Sequence, residues 1–413
     1  MTTQTIDSVP LLDLDAQYRN IQQEVKQAVT DVMESQQFIM GPEVQELEDQ
    51  VADYCESPHA IGCASGSDAL LLSLMAIDTG PGDYVLTTPY TFFATAGAIA
   101  RLGATPVFLD IDPVTYNIDP EEVRMFLEGK HPICSKFEAD PSDVKALIPV
   151  HLYGQVADMD PLMELADEYD FYVIEDAAQA IGAEYKGRRA GSIGDFGCFS
   201  FFPSKNLGGY GDGGMITTSN DELAEKLRVL RVHGSKPKYH HKIVGVNSRL
   251  DTIQAAILKV KLQYLDEWSD RRREKAQRYR QLFEEAELLA PTDARKNPCG
   301  EHEQALRDHI LPPKEVEGSP EQDGRHVYHQ FVIRSASRDL IQNQLKEANV
   351  GHSIYYPVPL HEQECFGHLG YEAGDCPASH CASIQTLALP IFPELTDDQQ
   401  QYVVEQVKKS IRG

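Results

Sequence analysis

Seven short apolar or β-branched runs, at 59–63, 84–88, 105–111, 146–150, 172–175, 197–201 and 214–218, recur between helix-like segments at 68–75, 92–102, 159–169 and 222–232. Runs of strand length without strict alternation suit strands buried on both faces, and their interleaving with helices predicts an α/β domain built on a mainly parallel sheet. Ligand chemistry then gathers at the carboxyl ends of the strands. At 413 residues the chain can support two packed domains.

From Asp251 onward Ile253, Ile257, Val260, Tyr264 and Trp268 keep helical spacing, and the charged continuation predicts one long helix to about Glu285 linking two domains. Arg271, Arg272 and Arg273 lie on it and read as a solvated face opposite Glu267 and Glu274. Residues 290–325 carry no periodicity and read as a surface excursion. Beyond them, 326–334, 339–348, 353–356 and 396–411 alternate strand and helix again. The expected division is a large domain, 1–250, including an N-terminal arm, and a linking helix with a smaller C-terminal α/β domain, 251–413.

Acidic residues outnumber basic ones 64 to 37, for a net charge of -27, which argues against binding the phosphate backbone of a nucleic acid. No apolar run approaches the ~20 residues of a membrane span, and the amino terminus lacks a basic region followed by an apolar one, so a cytoplasmic protein is expected. Eight cysteines without a CxxC pair read as reduced thiols, with no disulfide expected. The grouping of His361, Cys365, His368, Cys376, His380 and Cys381 matches no zinc spacing, and no metal site is assigned to it.

The chemistry concentrates in Ser200-Phe-Phe-Pro-Ser-Lys205-Asn-Leu-Gly-Gly-Tyr-Gly-Asp-Gly-Gly214. One lysine stands between a turn-forming Pro-Ser and a run of glycines that suits close backbone approach to a ligand. Such a lysine can hold an aldehyde cofactor as a Schiff base. In Val173-Ile-Glu-Asp176-Ala-Ala-Gln179 a buried-strand pattern ends in a carboxylate, 29 residues before the lysine. Pyridoxal phosphate needs both groups, because a carboxylate keeps its ring nitrogen protonated. The match of Gly209-Tyr-Gly-Asp-Gly-Gly214 to G-x-G-x-x-G is set aside, since it leads into a strand rather than opening a helix.

Together with Ser65-Gly-Ser-Asp-Ala-Leu70 and Val246-Asn-Ser-Arg-Leu-Asp-Thr-Ile-Gln-Ala-Ala256, these motifs make the chain resemble the DegT-type nucleotide-sugar aminotransferases of the aspartate-aminotransferase fold type. The likeness runs from about Leu12 to Ile411, apart from 290–325. It implies a three-layer PLP-transferase large domain, and a homodimer with pyridoxal phosphate near the subunit boundary. It also implies that Lys205 is the cofactor lysine and proton carrier, that Asp176 faces the ring nitrogen, and that Gln179 faces the ring hydroxyl, where relatives more often have His. Gly66 and Ser67, at a strand-to-helix turn, can direct N–H groups at the cofactor phosphate, the alternative being a plain N-cap. Ser200 resembles a further phosphate ligand. Phe92 is assigned to stack on the ring, with Tyr90 and Phe93 as alternatives. The resemblance makes Asn247 a phosphate ligand given by the neighbouring subunit. Arg249 is either a ligand for an anionic group of the substrate or a brace for its loop. Tyr355 and Tyr356 fall where relatives close over the sugar, the alternative being ordinary packing.

The expected reaction moves an amino group from L-glutamate to a nucleotide-linked keto-sugar, at carbon 3 or carbon 4 with carbon 3 preferred, for amino-sugar and cell-surface polysaccharide biosynthesis. Two rivals stand beside it. A PLP-dependent sugar dehydratase on the same fold replaces the lysine with histidine, which Lys205 opposes. A non-catalytic regulatory protein would not need the cofactor residues.

Overall fold

The computed structural model describes residues 6–137, 140–295, 300, 303–314 and 324–413. Two helices, α1 (Leu14–Ser35) and α2 (Pro42–Tyr54), open the chain. There follow β1 (His59–Cys63), α3 (Gly66–Ala76), β2 (Tyr84–Thr87), α4 (Ala94–Arg101), β3 (Thr105–Phe108), α5 (Pro120–Leu127), β4 (Val144–Ile148), α6 (Met159–Tyr169) and β5 (Tyr172–Asp176). A small hairpin, β6 (Glu184–Tyr185) and β7 (Arg188–Arg189), precedes β8 (Phe196–Ser200), β9 (Gly214–Thr218) and α7 (Asp221–Leu230). The remainder is α8 (Thr252–Leu262), α9 (Leu265–Glu285), β10 (Gly324–Arg325), β11 (Phe331–Arg334), α10 (Arg338–Glu347), α11 (Pro377–Gln385), β12 (Thr386–Leu389) and α12 (Asp397–Arg412).

All seven predicted runs enter one sheet, ordered β1-β9-β8-β5-β4-β2-β3. Four of its pairings are parallel, and β9 alone runs against both its neighbours. The carboxyl ends of β1, β2, β4, β5 and β8 therefore share one edge. Successive side chains point to opposite faces, so Leu147, Val173, Phe199 and Met215 meet α2, α5, α6 and α8, while Ala146, Ile174, Cys198 and Ile216 meet α3, α4 and α7. The result is three layers, and each fully buried large aliphatic side chain stabilises them by roughly 1.5–3 kcal/mol.

In the C-terminal half, β11 and β12 pair antiparallel, and Tyr279, Phe283, Phe331, Leu345 and Val403 share one cluster. The start of the chain joins it: Val9 accepts from Gly351 N at 2.7 Å and donates to Asn349 O at 3.0 Å. Of the run at 353–356, only Ser353 pairs, bridging to Ala388.

Four expectations need correction. The predicted long helix is two helices, broken at Gln263–Tyr264, where Tyr264 N reaches Lys261 O at 3.1 Å as in a tighter turn. The apolar stripe hides the break because Ile257, Tyr264 and Trp268 stay together against Tyr18, Ile21 and Val25 of α1. Arg272 is not solvated. Leu265, Trp268, Arg272, Ala276 and Tyr279 form the inward stripe of α9, whereas Arg271 pairs with Glu267 at 2.5 Å on the outside. Within 290–325, Leu306 and Ile310 are buried, and Leu311 N donates to Arg334 O at 2.9 Å, so these residues belong to the packed body. The parts of that predicted excursion at 296–299, 301–302 and 315–323 lie outside the described residues. Finally, Cys381 is disulfide-bonded. The absence of a CxxC spacing does not speak to pairs brought together by folding.

Candidate active site

Five strand ends and the turns after them build a site at the carboxyl edge of the sheet. β5 ends in Asp176, which is buried; its Oδ2 accepts from Thr95 Oγ1 at 2.7 Å and its Oδ1 from Ala178 N at 3.3 Å. Burial pushes its carboxyl pKa up, opposed by these bonds and by the charge of Lys205. Lys205 follows β8 in a turn closed by its own N–H to Phe202 O at 2.8 Å. Burial pushes its amine down to about 8, with Asp176 pulling the other way. Among the described residues its Nζ has no hydrogen-bond or ion-pair partner. An amine whose pKa is lowered toward neutrality, facing a carboxylate, can serve as a nucleophile and a proton carrier.

Gln179, also buried, is oriented from behind. Its Oε1 accepts from Tyr153 N at 2.8 Å, which leaves Nε2 to donate to the Tyr356 hydroxyl at 3.1 Å. The Tyr356 ring lies 6.2 Å from Phe92 and 6.4 Å from Tyr90. Phe92 is 56% exposed whereas Tyr90 is fully buried, so of these two only Phe92 offers a free ring face. Phe93 packs on Phe366 at 5.7 Å. The Tyr355 carbonyl accepts from the hydroxyls of both Tyr90 and Tyr153.

α3 begins where β1 ends, with Ser65 as N-cap accepting from Asp68 N at 3.1 Å. A Cβ on Gly66 would sit 2.6 Å from Ser200 Cβ, so glycine is what lets the end of β8 lie against the start of α3. Ser67 is exposed there, leaving the helix N-terminus open to an anion. The glycines after Lys205 serve contacts within the protein: a Cβ on Gly208 would meet Pro203 O at 2.4 Å, and those on Gly209 and Gly211 would meet Gln254 at 2.8 Å. Buried Lys261 donates to Gly208 O beneath the same loop.

Ser248 donates to Asp68 Oδ2 at 2.7 Å and accepts from Ala64 N at 3.1 Å, which places its segment beside α3. Asn247 is exposed and Arg249 half-buried. Among the described residues neither side chain is hydrogen-bonded to the Asp176, Gln179 and Lys205 group that the fold brings together.

The sequence reading passed over Thr95, Tyr153 and the pair behind Asp176. His151 Nε2 donates to Glu175 Oε2 at 2.8 Å, both side chains being fully buried. Its Nδ1 accepts from Ala157 N at 3.2 Å, which sets the neutral tautomer. Glu175 further accepts from Gly191, Ile193 and Gly194 N, each at 2.8 Å. A histidine three residues past a parallel strand was the available signal.

These residues fit pyridoxal phosphate: a free amine, a buried carboxylate, an amide turned to donate, and a helix N-terminus with room made by Gly66. Among the described residues no three or more metal-ligating side chains gather, and no helix is long and apolar enough to cross a membrane.

Comparison with known proteins points the same way. The DegT/DnrJ/EryC1/StrS aminotransferase family matches residues 19–408. A pleiotropic regulatory protein of Geobacillus stearothermophilus is 49% identical over 406 residues, 98% of this chain and 99% of that protein. The UDP-N-acetyl-3-dehydro-alpha-D-glucosamine 3-aminotransferase of Acidithiobacillus ferrooxidans is 38% identical over 98% of this chain and 99% of its own. The crystal structure of S. venezuelae DesV in complex with a ketimine intermediate matches with a TM-score of 0.86 at 37% identity, covering 99% of this chain and 100% of that one. The chain belongs to the DegT/DnrJ/EryC1/StrS aminotransferase family, an enzyme of PLP fold type I whose cofactor is pyridoxal phosphate.

Proposed function

We propose that this aminotransferase carries an amino group from L-glutamate to a keto-sugar linked to UDP or dTDP, at carbon 3, in cytoplasmic synthesis of amino sugars for cell-surface polysaccharide. The observation that carries the amino-transfer reading is the partly buried Lys205, whose amine desolvation pushes down to about 8 opposite the Asp176 carboxylate. Relatives that name a 3-aminotransferase of a UDP-sugar support the substrate class and the position.

In this reading Lys205 would hold the cofactor, and its amine would serve as the base that moves the substrate proton. The bound cofactor supplies an electron sink for the carbon that loses that proton. Asp176 maintains the charge on the ring nitrogen, and Thr95 holds that carboxylate in place. Gln179 donates toward the ring hydroxyl because Tyr153 N occupies its oxygen. Phe92 covers the ring, Gly66, Ser67 and Ser200 cup the phosphate, and Tyr355, Tyr356 and Arg249 meet the sugar nucleotide. Asn247 serves the phosphate of a second subunit, so each homodimer holds two composite sites.

A dehydratase would not retain Lys205. The regulatory name carried by one relative does not account for a full set of cofactor residues. Purified enzyme incubated with L-glutamate and paired 3-keto and 4-keto nucleotide sugars should aminate the 3-keto compounds, read by mass spectrometry. A preference for 4-keto sugars would overturn the position, and a colourless protein inert toward both would overturn the enzyme reading. Mixing inactive Lys205→Ala and Asn247→Asp subunits should restore activity in one site per heterodimer. Dead heterodimers, with cofactor lost from Asn247→Asp homodimers, would put Asn247 in its own chain's site.

A further inference from the structure

Beside the Lys205 turn, where Ser204 meets the C-terminal half, lies a cavity of about 90 Å³ lined by Ser204, Arg272, His329, Gln330 and Tyr355 together with apolar side chains. Arg272 reaches it from α9 and is buried, with Nη1 donating to Ile391 O at 2.8 Å. Among the described residues its Nε and Nη2 have no protein acceptor. His329 is 9% exposed, and its Nδ1 is buried without a hydrogen-bond partner. Burial and the charges of Lys205 and Arg272 hold its imidazole neutral, its pKa well below the usual value. Gln330 Oε1 is likewise unpartnered, and its amide turned end for end would add an N–H. No acid lines this space. Glu394 acts on the guanidinium from outside the cavity without forming an ion pair with it.

A guanidinium with free donors and an unpartnered imidazole that feels the charge of Lys205 make this recess receptive to an anion in a chain of net charge -27. Space for a water-sized probe over ~10–15 Å³ already holds one water, so the recess has room for a carboxylate group, and none of its lining side chains is acidic. We propose that it is the carboxylate pocket for the amino-acid donor, with Arg272 and His329 as its donors. This rests on the aminotransferase reading and says how one of the two substrates is recognised.

The test uses the cofactor-loaded enzyme and glutarate, a dicarboxylate with no amine to react. Calorimetry should show wild type binding glutarate in competition with L-glutamate. His329→Leu and Arg272→Met should each weaken glutarate about 10-fold or more, as loss of a hydrogen bond to a charged group does. The L-glutamate concentration giving half-maximal single-turnover rate should rise by the same factor, with the limiting rate within about threefold of wild type. Unchanged glutarate affinity in both variants would overturn the pocket, and if Arg272→Met does not fold, His329→Leu decides alone. Binding of glutarate that depends on Arg272 or His329 in a protein that never consumes L-glutamate would uphold the pocket and overturn the donor assignment. Absence of both overturns both.

Discussion

The depressed pKa of Lys205 makes a quantitative demand on how the enzyme takes up its cofactor. With the pKa at about 8 rather than 10.5, roughly one Lys205 in eleven is neutral at pH 7, against roughly one in three thousand for a free lysine, an advantage of about 300-fold. Only the neutral amine attacks an aldehyde. The rate at which cofactor-stripped protein regains its visible band with pyridoxal phosphate should therefore rise about tenfold per pH unit and level near pH 8. The same reaction of N-acetyl-lysine, measured in the same buffers, corrects for ionisation of the cofactor. Asp176→Asn removes the carboxylate that holds the amine's pKa up, so the knee of the profile should move to lower pH. A rise continuing unbroken to pH 10, or a knee that moves upward in Asp176→Asn, would refute the burial argument.

Two further outcomes follow from contacts at the strand ends. Gly66→Ala places a Cβ 2.6 Å from Ser200 Cβ, so it should cost tenfold or more in cofactor affinity, and several-fold less in a Ser200→Gly background. Additive penalties in a fluorescence titration would show that the two residues do not press on one another. Glu175→Gln turns an NH₂ toward some of four buried donors, each at 2.8 Å, and should cost about 3 kcal/mol in urea unfolding. A loss under about 1 kcal/mol would mean that the brace behind Asp176 is dispensable.

The seven strands were legible because each is a short apolar run buried along most of its length, a property the sequence carries locally. The reversed direction of β9 was not, since a strand buried on both faces reads alike either way. Lys205 and Asp176 stood out because a turn and a strand end expose unusual residue types in order. Thr95, Tyr153 and Glu175 did not. Their importance comes from what they touch, and Tyr153 acts through a backbone N–H that every residue but proline has. Arg272 misled because three consecutive arginines suggest solvent, while the period of 3.6 turns one of them inward.

Tyr90 has a consequence for motion. Its single hydroxyl bonds Thr386 at 2.7 Å and the Tyr355 carbonyl at 2.8 Å, and Tyr153 bonds that same carbonyl. Both partners of Tyr90 belong to the C-terminal half, and the tyrosine itself follows a strand of the central sheet. A hinge opening between the halves would break these three hydrogen bonds at once, each worth roughly 0.5–1.5 kcal/mol. The site is thus latched along that seam.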